Sequence, residues 1–295
     1  MMNVNLIEIM SLPFMQRALL GALITGLIAP SLGIYLVQRR MSLIGDGIGH
    51  IALTGVGVGL LTGTSPVLTA IIVSALGAVA VELIRERGRT SGDIALAILF
   101  YGGIAGGVFL VGLAPGKGSA NLTSYLFGSL LTTSATDLIT IAILGACVLA
   151  VTVGLRPWLF AICQDEEYAK VSGLPVRALN LLLAVMTAVT VTVAMRSVGL
   201  LLVSALMVVP VAAAQLVSRG FGGTMTLAML GGVISAGAGI LVSAGYDTAP
   251  GATIVLAAIA LFILVAVVGT ALRRRRRADT GAAAVCDPPE CVLDS

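Results

Sequence analysis

Charge is scarce in this chain: Asp, Glu, Lys and Arg supply 11% of its 295 residues, against roughly 25% in a water-soluble domain. With 58% hydrophobic residues and a mean hydropathy of +1.08, too few charges remain to clothe a soluble surface. Four cysteines are too few and too scattered for a disulfide scaffold: Cys147 lies in an apolar run, Cys163 in a short polar loop, and Cys286 and Cys291 near the C-terminus. No neighbouring histidine completes a zinc pattern around the last two. The first residues lack a basic n-region, Glu8 interrupts them, and apolar sequence runs on too far for a cleavable signal peptide. Alternating apolar and polar residues are missing, which argues against a membrane barrel. A complete nucleotide-binding loop is missing too. Gly112 to Ser119 has the wrong glycine spacing, and no Ser or Thr follows Lys117 directly. A net charge of +3 does not point to nucleic acid, because five basic residues form the single run Arg273–Arg277.

Long apolar runs are abundant. A helix crossing a hydrocarbon core of about 30 Å needs about 20 apolar residues. Nine segments qualify: 15–37, 43–62, 66–84, 93–113, 137–155, 178–195, 198–217, 223–245 and 250–272. The sixth and seventh form one stretch interrupted at Met195-Arg196-Ser197, where a tight reversal is expected. The fold class is therefore all-α and polytopic, with a membrane domain over 1–272 and a basic, disordered tail over 273–295.

The basic residues set the orientation. With the N-terminus outside, Arg39, Arg40, Arg85, Arg87, Arg89, Arg156, Lys170, Arg177, Arg219 and Arg273–Arg277 are cytoplasmic, which makes fourteen. Arg17, Lys117 and Arg196 are outside, which makes three. This follows the positive-inside preference and puts the C-terminus in the cytoplasm. The outside loop 114–136 holds Tyr125 and Phe127, which suit a partial interfacial helix. In the inside loop 156–177, Asp165 is expected to cap a short helix that Gly173 and Pro175 terminate. That helix is either a solvated loop or a docking element.

Asp46 and His50 stand at i,i+4 on one face of the second span, with Ser42 and Thr54 extending the stripe. A carboxylate and a neutral imidazole suit a borderline divalent ion. Because His50 is the only histidine, water, other carboxylates or carbonyls must complete any shell. A structural Asp–His bond and a proton relay are the other readings. Glu82 is a lesser candidate for the pathway and Glu86 a surface acid. Asp93 is a candidate helix cap, and Asp247 lies in an outside turn where it can attract a cation. Gly55, Gly59 and Gly63, and the pairs Gly102/Gly106 and Gly103/Gly107, suit close helix crossings. Pro210 is expected to bend or break the seventh span.

The segments “RRMSLIGDGIGHIAL” (39–53), “SYLFGSLL” (124–131), “MRSVGLLLVSALMVVPVAAA” (195–214) and “YDTAPG” (246–251) resemble, in order and spacing, the membrane permeases of bacterial zinc and manganese ABC importers, the ZnuB/MntB-like group. The resemblance spans residues 10–272. It implies the architecture of the vitamin B12 and siderophore importer permeases, located in the bacterial inner membrane. It further implies a second permease copy, two cytoplasmic ATPases carrying Mg-ATP, and an extracytoplasmic metal-binding protein. The permease binds no cofactor of its own; zinc, manganese or iron is cargo. The family's GDxxxH pattern falls on Asp46 and His50. Its coupling region falls on “EEYAKVSGLP”, with Glu166, Glu167, Lys170, Gly173 and Pro175. Tyr101 stands where some zinc-transporting relatives carry a histidine, which leaves zinc against manganese open. The Arg273–Arg277 run suits anionic lipid rather than nucleic acid. A self-contained secondary transporter and a non-transporting scaffold are the competing classes.

Overall fold

The computed structural model describes residues 12–86, 92–114, 125–128, 135–246 and 248–283. The described residues form eleven named helices and no strand. They are α1 (Pro13–Gln38), α2 (Ile44–Thr62), α3 (Pro66–Glu86), α4 (Gly92–Leu113), α5 (Ala135–Gly154), α6 (Arg156–Gln164), α7 (Glu166–Val171), α8 (Val176–Val198), α9 (Leu200–Val217), α10 (Phe221–Tyr246) and α11 (Pro250–Ala283). Eight are long and apolar enough to cross a membrane, and α9 is a shorter apolar helix. All nine expected spans thus correspond to helices. Asp247, Lys117, Cys286 and Cys291 lie outside the described residues, as do the side chains of Asp93 and Arg196.

The seventh span is not broken at Pro210, which stays inside α9. One missing backbone bond is tolerated where neighbouring helices hold the turn, and Pro210 faces α10 at Gly231. The break falls instead at Gly199, whose φ of 95° and ψ of 149° are open to glycine. From there α9 turns back. Leu200 lies by Gly49, Ser204 by Asp46 and Met207 by Gly33, so α9 descends as α2 rises.

Lipid offers apolar side chains what a protein core offers, so the helices associate through small residues and interhelical hydrogen bonds. The central helix α1 presses on α10 where Gly26 meets Gly232. Tyr35, fully buried, donates to the Thr152 carbonyl of α5 at 2.6 Å, and Ser74 of α3 bonds Thr192 of α8 at 2.9 Å. Helix α2 lies between α3 and α4. Gly55 and Gly59 admit α3, and Gly103 and Gly107 admit α2 against α4. Gly63, in contrast, touches nothing and serves as the left-handed cap of α2. The pairs Gly47/Leu96, His50/Gly103 and Gly57/Leu110 advance together, so α2 and α4 run parallel.

At the end of the bundle away from α7, Gly128, Gly199 and Gly251 let three backbones cross, with Leu126–Gly128 against Val198–Gly199 and the start of α11. Tyr125–Phe127 form a helical turn there. Helix α11 continues beyond residue 272 to Ala283, so no break in the helix marks the expected start of the tail.

Neighbouring glycines of α4 give a paired test. A Cβ on Gly103 would fall 2.6 Å from the His50 carbonyl carbon, whereas one on Gly102 meets nothing within 4 Å. Gly103→Ala should lower the thermal midpoint of the detergent-solubilised protein and Gly102→Ala should not. Equal midpoints would remove the α2–α4 contact from this account.

Candidate metal site and coupling helix

Asp46 sits in the first turn of α2, where the helix dipole favours a carboxylate. It is half-buried in a cavity of about 350 Å³ shared with Leu43, Leu96, Ala97, Phe100 and Tyr101. Its Oδ1 accepts a hydrogen bond from the Ser204 hydroxyl of α9. One turn along, His50 is only 5% exposed. Phe100 meets its ring edge-on at 4.5 Å, and its Nδ1 is buried without a hydrogen-bond partner. A buried polar nitrogen left unsatisfied is costly. Phe100 both lines the Asp46 cavity and packs on His50, so one ring touches the surroundings of both candidate ligands. No group of three or more His, Cys, Asp or Glu converges among the described residues. The shell offered by one chain is open.

Two members of the expected stripe serve elsewhere. Ser42 belongs to the turn before α2, not to the helix. Thr54 gives its hydroxyl to the Gly103 carbonyl at 2.9 Å and so fastens α4. Glu82 is engaged within its own helix. It is 4% exposed and holds Arg85 through two hydrogen bonds of 2.6 and 3.0 Å. Glu86 pairs with Arg177 at 3.1 Å on the surface.

The candidate coupling helix α7 is framed at both ends. Asp165 Oδ1 accepts from the Glu167 and Tyr168 amides at 2.9 and 3.0 Å. Leu174 N–H donates to the Ala169 carbonyl and Gly173 N–H to that of Lys170, closing the helix in a Schellman pattern. Gly173 has φ of 80°, which favours glycine, and Pro175 caps the start of α8. Glu167, Lys170, Gly173 and Pro175 are exposed. So are two residues that the charge pattern did not single out, Tyr168 at 69% and Val171 at 88%. Glu166 turns the other way, toward Arg39 of α1 at 3.2 Å and Arg85 of α3 at 3.7 Å. Asn180 of α8 bridges it to Arg39, donating to Glu166 at 3.2 Å and accepting from Arg39 at 2.9 Å.

The signals for the missed residues were available. Asn180 is an amide in an apolar span, where polar groups are expensive. Ser204 and Arg39 lie in two of the four segments that carry the resemblance. Their partners were not legible, because each is more than 120 residues away in the chain.

Residues 11–269 match the ABC 3 transport family. The chain belongs to that family. It is 35% identical to the manganese transport system membrane protein MntC of Halalkalibacterium halodurans over 87% of this chain and 88% of that protein. It is 31% identical to the high-affinity zinc uptake system membrane protein ZnuB of Haemophilus influenzae, over 84% and 94%. It is 34% identical to the chelated iron transport system membrane protein YfeD of Yersinia pestis, over 87% and 85%. Among solved structures, PsaBC from Streptococcus pneumoniae in complex with Fab superposes with a TM-score of 0.81 at 29% identity, over 90% of this chain and 95% of that one. This ABC 3 family member is thus a multi-pass membrane protein with a permease fold.

Burial raises the Glu166 carboxyl's pKa, but Arg85, Arg39, Lys170 and the Asn180 bond pull it further down, to a net value below the ordinary 4.5. A depressed carboxyl stabilises the fold above its ordinary pKa, and that contribution disappears as pH falls through the folded value. Limited proteolysis within 165–175 should stay constant from about pH 7 to pH 5 and accelerate below 4.5. Acceleration already complete at pH 5 would contradict the arrangement.

Proposed function

We propose that this chain is the membrane-spanning subunit of an ATP-driven importer for a divalent transition-metal ion, and that Asp46 and His50 meet the ion in passage. The observation that carries the reading is the buried, unpartnered Nδ1 of His50, one helical turn from a carboxylate that faces a cavity. Neutral imidazole and carboxylate suit manganese, iron and zinc alike, and relatives named for all three fit that breadth. An open shell is what release requires. Phe100 packs on His50 at the edge of the same cavity, and Ser204 aims the Asp46 carboxylate.

ATP binds elsewhere. In this reading two copies of the chain pair with two cytoplasmic ATPases that carry Mg-ATP, and an extracytoplasmic binding protein delivers the metal. The chain lies in the bacterial cytoplasmic membrane with its N-terminus outside and its C-terminus inside. The clustering of Arg39, Arg85 and Arg177 near α7 supports that orientation. Arg273–Arg277 then meet anionic lipid headgroups, and Asp247 lies on the outer side, where it attracts cations. Glu82 serves Arg85 rather than the ion. Glu167, Lys170, Gly173 and Pro175 present α7 to the ATPase, and Tyr168 and Val171 supply the apolar contact in that interface.

Reconstitution with the cognate ATPase and binding protein tests the metal site. His50→Ala and Asp46→Asn should assemble normally while lowering initial uptake by at least about tenfold, and Ser204→Ala should lower it by about tenfold. Zinc, manganese and iron are measured separately, with ATP withheld as the control. Wild-type uptake of all three metals by assembled His50→Ala and Asp46→Asn proteins would falsify the site. Proton-driven uptake without ATP would favour a secondary transporter instead.

The coupling face has its own test. Gly173→Val has room for its side chain but not for its backbone at φ of 80°. It should reduce ATPase recovery or the metal moved per ATP, and Tyr168→Ala should reduce recovery. Unchanged values for both variants would remove α7 from the interface.

A further inference from the structure

We propose that Glu166 is a positioning residue through which α7 grips the turn between α1 and α2 and so sets where Asp46 stands. The proposal rests on the reading of α7 as the ATPase-facing helix and names what that helix holds on its other side.

The backbone of α7 sits against α6 and α8, and the Glu166 side chain makes the ties to α1 and α3. One oxygen meets Arg39 at 3.2 Å and Arg85 at 3.7 Å. The other meets Asn180 at 3.2 Å and Lys170 at 3.6 Å. The Arg39 side chain is only 8% exposed, so its charge depends on this partner. A buried cation stays with its carboxylate, while the Asn180 oxygen gives Arg39 a second, uncharged partner. Glu82 also holds Arg85 in the same cluster, so Glu166 is shared by Arg85 and Arg39 and is the carboxylate that Arg39 meets.

The stretch from Arg39 to Asp46 is stiff. Met41 N–H donates to the Leu36 carbonyl at 2.9 Å and Arg40 N–H to that of Val37 at 3.0 Å, the same double closure that ends α7. Arg40 occupies the left-handed position at φ of 57°, which a residue with a Cβ adopts only at a cost. Ile44 N–H then donates to Met41, and Gly47 N–H to Leu43, starting α2. Asp46 lies in that first turn. A displacement of α7 is passed along this turn instead of being absorbed in a loop. It reaches the carboxylate and the cavity wall at Leu43 and Leu96, two residues that also line the neighbouring cavity beside Arg39 and Arg85.

The test uses the full complex. Glu166→Gln keeps size and the Asn180 contact but removes the charge. ATPase recovery and ATP hydrolysis should stay near wild type while metal moved per ATP falls about tenfold, the scale of a lost charged hydrogen bond. Arg39→Gln should match it, and the double variant should be no worse than either single one, since both cut one link. Glu86→Gln, an exposed acid outside the link, should behave as wild type. Spin labels on Ser42→Cys in the two permease copies, with native cysteines replaced, give a readout independent of metal. Their separation should change on adding a non-hydrolysable ATP analogue in the wild type and not in Glu166→Gln. Normal metal per ATP together with a normal label response in Glu166→Gln overturns the proposal, as does additive loss in the double variant. Failure of both single variants to assemble also overturns it, in favour of a purely structural brace. A wild-type complex that moves no metal yet shows the label response defeats the metal reading and leaves this link standing.

Discussion

In hydrocarbon an apolar side chain gains little by leaving lipid for protein, so the helices here are held by how closely their backbones approach. Gly26 against Gly232, and Gly103 and Gly107 against α2, supply that approach. These crossings place α2 between α3 and α4 and bring α9 beside it, so the positions of Asp46 and His50 depend on them. A membrane protein with so few charges has little other means of fixing a polar group in space.

Polar side chains then fall into two groups by depth. Those at the α7 end are paired: Arg39, Glu82, Arg85, Glu166 and Asn180 satisfy one another across four helices. Deeper in the bundle Tyr35, Ser74, Thr192 and Thr54 are also bonded, but the two candidate ligands are less fully engaged. His50 keeps an unpartnered nitrogen and Asp46 faces open space beside its one serine. The paired set holds the frame, and Asp46 and His50 are the groups proposed to meet the ion.

The legible part of this structure is the part governed by local pattern. The apolar runs located every span, and the reversal between the sixth and seventh was expected within three residues of Gly199. The Asp165 cap and the Gly173 stop were readable because both are sequence-local. The continuous helix through Pro210 was not, because its tolerance comes from the neighbours that surround it. Nor was the direction of Glu166, which shares a charged segment with Glu167 yet points inward, since that depends on Arg39 lying 127 residues away. Gly63 shares the spacing of Gly55 and Gly59 but ends the helix, because spacing alone does not record where a neighbouring helix stops.

The crossing of Gly128, Gly199 and Gly251 joins segments made at very different times during synthesis. Gly128 follows α4, Gly199 separates α8 from α9, and Gly251 opens α11, which is made after both. Helices inserted earlier therefore have no complete seat for the 126–128 turn, and a chain stopped before residue 250 leaves that turn without one of its walls. Closure of this end waits until α11 has been made and has joined the helices inserted before it.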